Sequence, residues 1–384
     1  MFPCPNFITM STRRDFLSTS LKAATLTGLA PVVPAVSAQM LGSEESGITR
    51  PEDRPLTGGR FRPKQPFGLG GVAIGNAFRP TTDEQAQQAM QAAWDAGVRY
   101  FDTSPWYGLG LSERRFGQFL HNQHRDDYVL STKVGRILKA AKEVPKTMWV
   151  NPSPFDYSYD YSAEGTRRSI EDSLQRLGID SIDIVFIHDL SPDNGDMKEQ
   201  WKEYFKIAEK GAMPELTKMR EEGLIKAWGL GVNTIDPILK TLEVADADIF
   251  LSATRYSLID HEEALNRLFP ACQRHGVSIV SGAPLNSGFL AGIDRYDYSQ
   301  NIPPAFLDKR QAINQIASRH GVDVRTAALQ FCAAPDVVSA VIPGTRYPEQ
   351  AKENVASMKT KIPQEFWEEM KSEGIIAPHA PLPS

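Results

Sequence analysis

The sequence predicts one α/β domain, a closed (β/α)8 TIM barrel. Three observations carry that expectation. Eight short apolar stretches recur along the 384 residues, each followed by a stretch with helical spacing. Glycines close five of the helical stretches, at Gly97, Gly178, Gly223, Gly276 and Gly321, where a left-handed residue ends a helix at no steric cost. Polar residues able to do chemistry stand directly after several of the apolar stretches. Alternating strands and amphipathic helices imply right-handed βαβ units in a parallel sheet. Eight such units in about 290 residues close into a barrel.

The elements follow in order. The first extended stretch is the glycine-rich 67–74, and a helix over 82–96 opens on Thr82 or Asp83. The second strand is 98–102, with a helix over 112–120 that begins Ser-Glu. Strand 128–133 precedes helix 164–177, strand 182–188 precedes helix 204–222, and strand 225–231 precedes helix 236–244. The sixth strand, 248–253, leads to helix 261–275. The seventh, 277–281, leads to helices over 308–320 and 324–333, and the eighth, 337–342, to helix 348–358. An open doubly wound sheet is the rival fold. It would open its first helix on a phosphate-binding glycine loop, whereas GLGGVAIG at 68–75 lies inside the extended stretch.

The chain outside the barrel reads differently. Residues 1–38 carry Arg13 and Arg14, an apolar stretch over 21–36 and the small residues Val36-Ser37-Ala38 before Gln39. That is the layout of an export signal, and Thr-Arg-Arg-Asp-Phe-Leu resembles a twin-arginine signal. It predicts a periplasmic protein that meets the twin-arginine export machinery and crosses folded, with its cofactor. A basic tail or short amphipathic helix is the alternative. Residues 39–65 are polar and rich in Pro, Gly and Arg, and read as a surface arm, leaving 66–384 as barrel and C-terminal tail. The composition is globular, 41% hydrophobic and 23% charged. The charge of −5 gives no support for a nucleic-acid surface, and no apolar run is long enough for a membrane span in the mature chain. Beyond the signal, Cys272 and Cys332 read as small buried hydrophobes rather than a bridge or a reactive thiol.

In a barrel the chemistry lies at the C-terminal strand ends. Strand two ends in Asp102, with Tyr107 in its loop. Strand three ends in Lys133 and strand four in His188, followed by Asp189. A free tyrosine, with a pKa near 10, is a poor acid or base at neutral pH. A lysine within reach favours the phenolate and lowers that value by about 1–3 units. An aspartate would keep the lysine charged and aimed, and a histidine could hold the substrate oxygen or relay a proton. The set suits proton exchange with a carbonyl or alcohol oxygen. The other half of such a reaction is a hydride, which no side chain carries, so a nicotinamide cofactor is implied. Each residue alone has a plainer reading, as a turn cap, a packing ring, a solvated charge or a satisfied histidine. Two rival functions are a barrel lyase that forms a Schiff base on Lys133 and a non-catalytic nucleotide-sensing protein.

The texts FDTSPWYGLGLSE, STKVG, DIVFIHD and VIPGTRYPEQAKEN, in this order, resemble the aldo-keto reductase family. The resemblance spans about 67–358 and implies the same barrel, NAD(P)(H) as cofactor, and Tyr107 as general acid or base with Asp102, Lys133 and His188. It also implies cofactor positions. Asn233 and Thr234 would hold the carboxamide of nicotinamide. Pro284, Leu285, Asn286, Ser287 and Gly288 would follow the pyrophosphate. Gly344, Thr345, Arg346, Gln350, Glu353 and Asn354 would lie along the adenosine. Two departures bear on this. Gly282 stands where many members stack a tyrosine on the nicotinamide. Gly344 and Gln350 stand where many NADPH enzymes carry Lys or Arg, which leaves only Arg346 for a 2′-phosphate. The balance leans to NAD, and oxidation is as plausible as reduction. FDYSYDYSAEGTRRSIEDSLQRLGID, GLGVNT, SATRYSLIDH and APLNSGFLAG are similar to a subgroup of sugar and pyridoxal dehydrogenases. An aldose or small aldehyde is therefore the expected substrate, with Trp106 lining its pocket. The aromatic-rich segment 140–161 either folds over the barrel mouth or packs as an ordinary surface loop.

Overall fold

The computed structural model describes residues 61–383. The export-signal reading and most of the arm lie outside the described residues. Among the described residues, ten strands and eleven α-helices follow one another. Eight strands form one parallel sheet: β1 (Leu69–Gly70), β2 (Tyr100–Asp102), β3 (Val129–Val134), β6 (Ile184–His188), β7 (Ala227–Val232), β8 (Ile249–Ala253), β9 (Ser278–Gly282) and β10 (Val338–Ile342). Its edges meet, since Phe67 bridges Val341 and Gly70 bridges Gly344 in parallel. The remaining pair, β4 (Arg136–Ala140) and β5 (Phe155–Tyr159), is an antiparallel hairpin outside the barrel. The expected (β/α)8 barrel is therefore the observed fold.

The barrel strands read as continuous apolar runs because both faces are covered. Tyr100, Ile184, Phe186, Ile249, Leu251, Val280 and Ile342 fill the interior. A larger cluster, with Phe101, Trp228, Phe250 and Phe331 among its members, lies between strands and helices. The helices are α1 (Asp83–Asp95), α2 (Leu111–Leu120), α3 (Ala163–Leu177), α4 (Trp201–Lys210), α5 (Ala212–Glu221), α6 (Asp236–Val244), α7 (Phe269–His275), α8 (Pro304–His320), α9 (Val324–Ala333), α10 (Pro348–Ser357) and α11 (Gln364–Ser372). Their ends follow local chemistry. Thr82 and Gln85 form a capping box on α1, Ser162 caps α3, and Gly178 ends it in the left-handed region.

Several elements differ from the expected spans. The single helix expected over 204–222 is two, broken at Gly211. The backbone passes so close to Tyr161 there that a Cβ would lie 2.7 Å from its carbonyl oxygen, and Ala212 N–H donates to that oxygen at 3.0 Å. The helix over 261–275 contains a π turn, Ala264–Leu268, just before Pro270, which has no N–H to close an ordinary turn. The first strand shrinks to two residues, because Gly71 N–H bonds to Asp102 O and the chain then turns. Helix α8 starts at Pro304, four residues before Asp308, with proline in its first turn. Of the two readings of segment 140–161, the structure has the one that folds over the barrel mouth, and it adds a strand. The segment holds β5 and packs Trp149, Phe155 and Tyr157 against Trp106 and Tyr107 over the barrel mouth.

Candidate active site

Asp102 ends β2, Lys133 lies near the end of β3, and His188 ends β6. The parallel register places all three at one end of the barrel. Tyr107 reaches the same place from the turn between β2 and α2. Its ring lies edge-on to His188, with ring centres 5.7 Å apart. Lys133 Nζ donates to both oxygens of Asp102, at 2.8 and 2.7 Å, and to Thr103 O at 2.8 Å. Ser131 Oγ donates to Asp102 Oδ1 at 2.7 Å. The four side chains are buried.

The lysine approaches the phenol in an unexpected way. Its three N–H groups are all engaged, and Nζ sits over the Tyr107 ring, 4.6 Å from its centre. It does not donate to the phenolic oxygen. Burial, then the Asp102 charge, hold the Tyr107 phenol well above its ordinary value. The expectation of a lysine-lowered phenol is corrected here: Tyr107 keeps its proton at neutral pH. Burial likewise pushes the Asp102 carboxyl up and the Lys133 amine down, while their mutual contact pulls each back. With three hydrogen bonds and no free lone pair, Lys133 is poorly set up as a Schiff-base amine. Burial, then the charges of Arg136 and Lys133, hold His188 well below its ordinary value, so its imidazole is neutral.

Two cavities meet at Tyr107. A cleft of about 230 Å³ runs from Asp102 and Tyr107 past Pro284, Leu285, Ser287 and Gly288 to Gly344, Arg346 and Gln350. A basin of about 450 Å³ is lined by Trp106, Lys133, Arg136, His188, Asp189 and Asn233. Tyr107, Val72, Leu251, Ala253 and Tyr298 line both.

The cleft fits an extended dinucleotide. Gly282 and Ala283 leave its inner wall flat. Arg295 and Arg346 line it, Arg79 repels both, and none of the three pairs with a carboxylate among the described residues. Their field suits a diphosphate. Arg295 lies 3.9 Å from the Phe78 ring centre and joins the two walls. Three non-glycine residues after β9, Ala283, Asn286 and Ser287, hold left-handed backbone, a strain that clusters at binding sites.

Not every expected cofactor residue lines the cleft. Asn233 faces the basin, where its amide donates to Asp193 at 2.9 Å. Thr234 pairs with Ser191 at 2.8 Å. Asn286 is buried behind the wall and donates to Thr254 O and Asp297. Thr345 accepts from Asn354 at 3.4 Å, and Glu353 pairs with Arg325. Arg346 donates to the carbonyls of Ala77 and Arg79, at 2.7 Å each, and to the Thr81 hydroxyl, and so ties down the turn after β1. Arg136, Tyr298 and Arg295 also line these cavities. Of these only Arg136 had a signal in the sequence, as a charge three residues past Lys133.

Comparison with known proteins agrees with this geometry. A profile described as the aldo/keto reductase family matches residues 66–374. The chain is 36% identical to a D-threo-aldose 1-dehydrogenase from Pseudomonas sp, over 81% of this chain and 94% of that relative. It is 35% identical to a pyridoxal 4-dehydrogenase from Microbacterium luteolum, with the same two shares covered. Among solved structures, the holo form of the aldo-keto reductase AKR11C1 from Bacillus halodurans superposes with a TM-score of 0.62 at 23% identity. That match covers 80% of this chain and 91% of that one, a likeness of fold.

Proposed function

The chain belongs to the aldo/keto reductase family and is an NAD(P)-dependent oxidoreductase, and from that premise we propose that it acts on an aldose with Tyr107 as general acid and base. The observation that carries this reading is the place of Tyr107 on the wall shared by cleft and basin. The basin suits a polyhydroxylated chain. Carboxylates of Asp189, Asp193 and Asp196 and amides of Asn194 and Asn233 face it beside the rings of Trp106 and Tyr157. Such groups read hydroxyls, while rings cover the apolar face of a sugar. Relatives named for an aldose and for pyridoxal point the same way.

The bound nicotinamide supplies the hydride donor or acceptor. In reduction Tyr107 gives its phenolic proton to the carbonyl oxygen. In oxidation the deprotonated phenol takes the hydroxyl proton. Neutral His188 donates to the same oxygen and keeps it in place. Pro284, Leu285, Ser287, Gly288, Gly344 and Gln350 would line the dinucleotide. We favour NAD, because Arg346 is already tied to the turn after β1. Residues 1–38 would send the folded protein through the twin-arginine route to the periplasm, a reading that rests on Arg13, Arg14 and the text after them.

The test is a fluorescence titration with NAD and with NADP, followed by a panel of aldoses, aldehydes and alcohols. Tighter binding of NAD and turnover of an aldose are expected. Cofactor binding with no turnover across the panel would overturn the aldose reading and favour a nucleotide-sensing protein. Export is tested by fractionation. The pair Arg13→Lys and Arg14→Lys should retain the protein inside the cell, and unaffected export would remove the twin-arginine assignment.

A further inference from the structure

We propose that Arg136 is a positioning residue that keeps His188 as the neutral tautomer with its proton on Nε2. The inference rests on the reading of the basin as the substrate site. Arg136 leads the hairpin strand β4, outside the barrel, yet its buried guanidinium enters the basin.

The hydrogen bonds around His188 have a direction. Trp106 N–H donates to Ser104 Oγ at 3.1 Å. The Ser104 hydroxyl proton then has His188 Nδ1 as its partner, also at 3.1 Å. Arg136 Nη1 stands 3.5 Å from that same Nδ1. A guanidinium carries only donors and does not release its proton. A proton on Nδ1 would meet an N–H group and a positive charge. Nδ1 therefore accepts, and Nε2 carries the proton.

Arg136 controls the other side of the ring as well. Asp189 Oδ1 lies 3.4 Å from Nε2. Left unpaired, that carboxylate would draw a second proton onto the imidazole. Arg136 Nη1 holds Asp189 Oδ2 at 2.8 Å and so compensates its charge. The guanidinium is fixed in turn. Its Nη2 donates to the Tyr159 hydroxyl at 3.0 Å, and the rings of Trp106, Tyr159 and Tyr157 surround it at 4.5, 4.9 and 5.6 Å.

The other groups around His188 are Lys133 from β3, Tyr107 from the turn after β2, the Tyr161 hydroxyl, which donates to His188 O at 2.9 Å, and Tyr298, which lines the same basin. Of these only Lys133 is charged at neutral pH, and it opposes the imidazolium as Arg136 does. Removing Arg136 deletes one positive charge and unpairs Asp189. Both changes favour the imidazolium and move His188 up, while burial and Lys133 go on opposing the charge. Once protonated, the ring would carry a proton on Nδ1 and lose its bond from Ser104.

The experiment uses the full chain labelled with 15N-histidine, with His188 assigned among the seven histidines through His188→Asn. Long-range proton–nitrogen correlation should give the Nε2–H tautomer for His188 at pH 6 and pH 8. In Arg136→Met the His188 ring should take up its proton at a higher pH than in the wild type, and the wild-type to variant ratio of kcat/KM for glyceraldehyde reduction by NADH should rise as the pH falls from 8 to 5.5. Arg136→Lys, which keeps the charge, should hold that ratio flat. An Nδ1–H tautomer or an imidazolium in the wild type at pH 6 would overturn the proposal, and this decides the matter even where Arg136→Met does not fold. So would an unchanged tautomer and a flat ratio in folded Arg136→Met. Absence of turnover in every variant would sink the substrate reading alone, because the tautomer is read without turnover.

Discussion

Lys133 meets Tyr107 at the face of its ring, 4.6 Å from the centre, and not at its oxygen. The phenol keeps its proton, and the two directions of the reaction should differ in their response to pH. Reduction uses the protonated form and should be insensitive to phenol titration through the neutral range. Oxidation needs the deprotonated form. Its kcat/KM should climb about ten-fold per pH unit, with no plateau between about pH 7 and pH 9.5. A plateau in that window would show a phenol lowered by its surroundings.

The phenolic oxygen itself is tested by Tyr107→Phe. The ring and its contacts with Trp149 and His188 stay. The expected loss in kcat is on the order of 10²–10⁴, the usual contribution of a positioned acid or base. Fluorescence titration with NAD should give an unchanged Kd. Retention of full turnover would remove Tyr107 from the chemistry.

The Asp102–Lys133 pair should matter to the fold as well as to the site. Both side chains are buried, at 2% and 1% exposure, so neither charge has water to fall back on. Lys133→Met leaves a carboxylate without its partner and should destabilise the protein by about 3–5 kcal/mol in urea unfolding. Adding Asp102→Asn should recover part of that loss. A double variant as unstable as the sum of the two singles would show that the pair acts independently.

His261 ties the C-terminal segment to the barrel, and acid should release it. Its Nδ1 faces Ser257 O at 2.9 Å, and its Nε2 accepts from Ala377 N–H at 3.1 Å. Burial lowers the ring to about 4. The unfolded chain binds a proton near 6.5 and the folded chain does not until about 4, so stability is full above 6.5 and falls as pH drops through that window. The slope is about 1.4 kcal/mol per pH unit, or roughly 3 kcal/mol in all. Urea unfolding of His261→Asn between pH 4 and 7 should lack this slope, and an unchanged slope would place the titration elsewhere.

Arg346→Ala separates two uses of one guanidinium. If Arg346 mainly ties down the turn after β1, its loss should weaken NAD and NADP alike, by about ten-fold for the 1–2 kcal/mol carried by such bonds. A selective loss of NADP would show that Arg346 reads a 2′-phosphate.

The barrel was legible because eight strands covered on both faces leave unbroken apolar text, and glycine marks the helix ends. Asp102, Lys133 and His188 were legible because strand ends deliver them, and Tyr107 because it stands in the short turn after Asp102. Features that depend on distant chain contacts were not. The break at Gly211 answers to the Tyr161 carbonyl. The inward turn of Asn286 answers to Thr254 and Asp297. The raised phenol depends on its burial and on the nearby Asp102 charge, which no spacing in the sequence encodes.

The hairpin β4–β5 stands apart from the barrel ladder, yet it brings Arg136, Trp149 and Tyr157 to the mouth. The hairpin thus adds side chains to the basin without taking part in closing the barrel. The hairpin is a natural cassette. Swapping residues 136–159 between relatives should alter substrate preference without unsettling the scaffold.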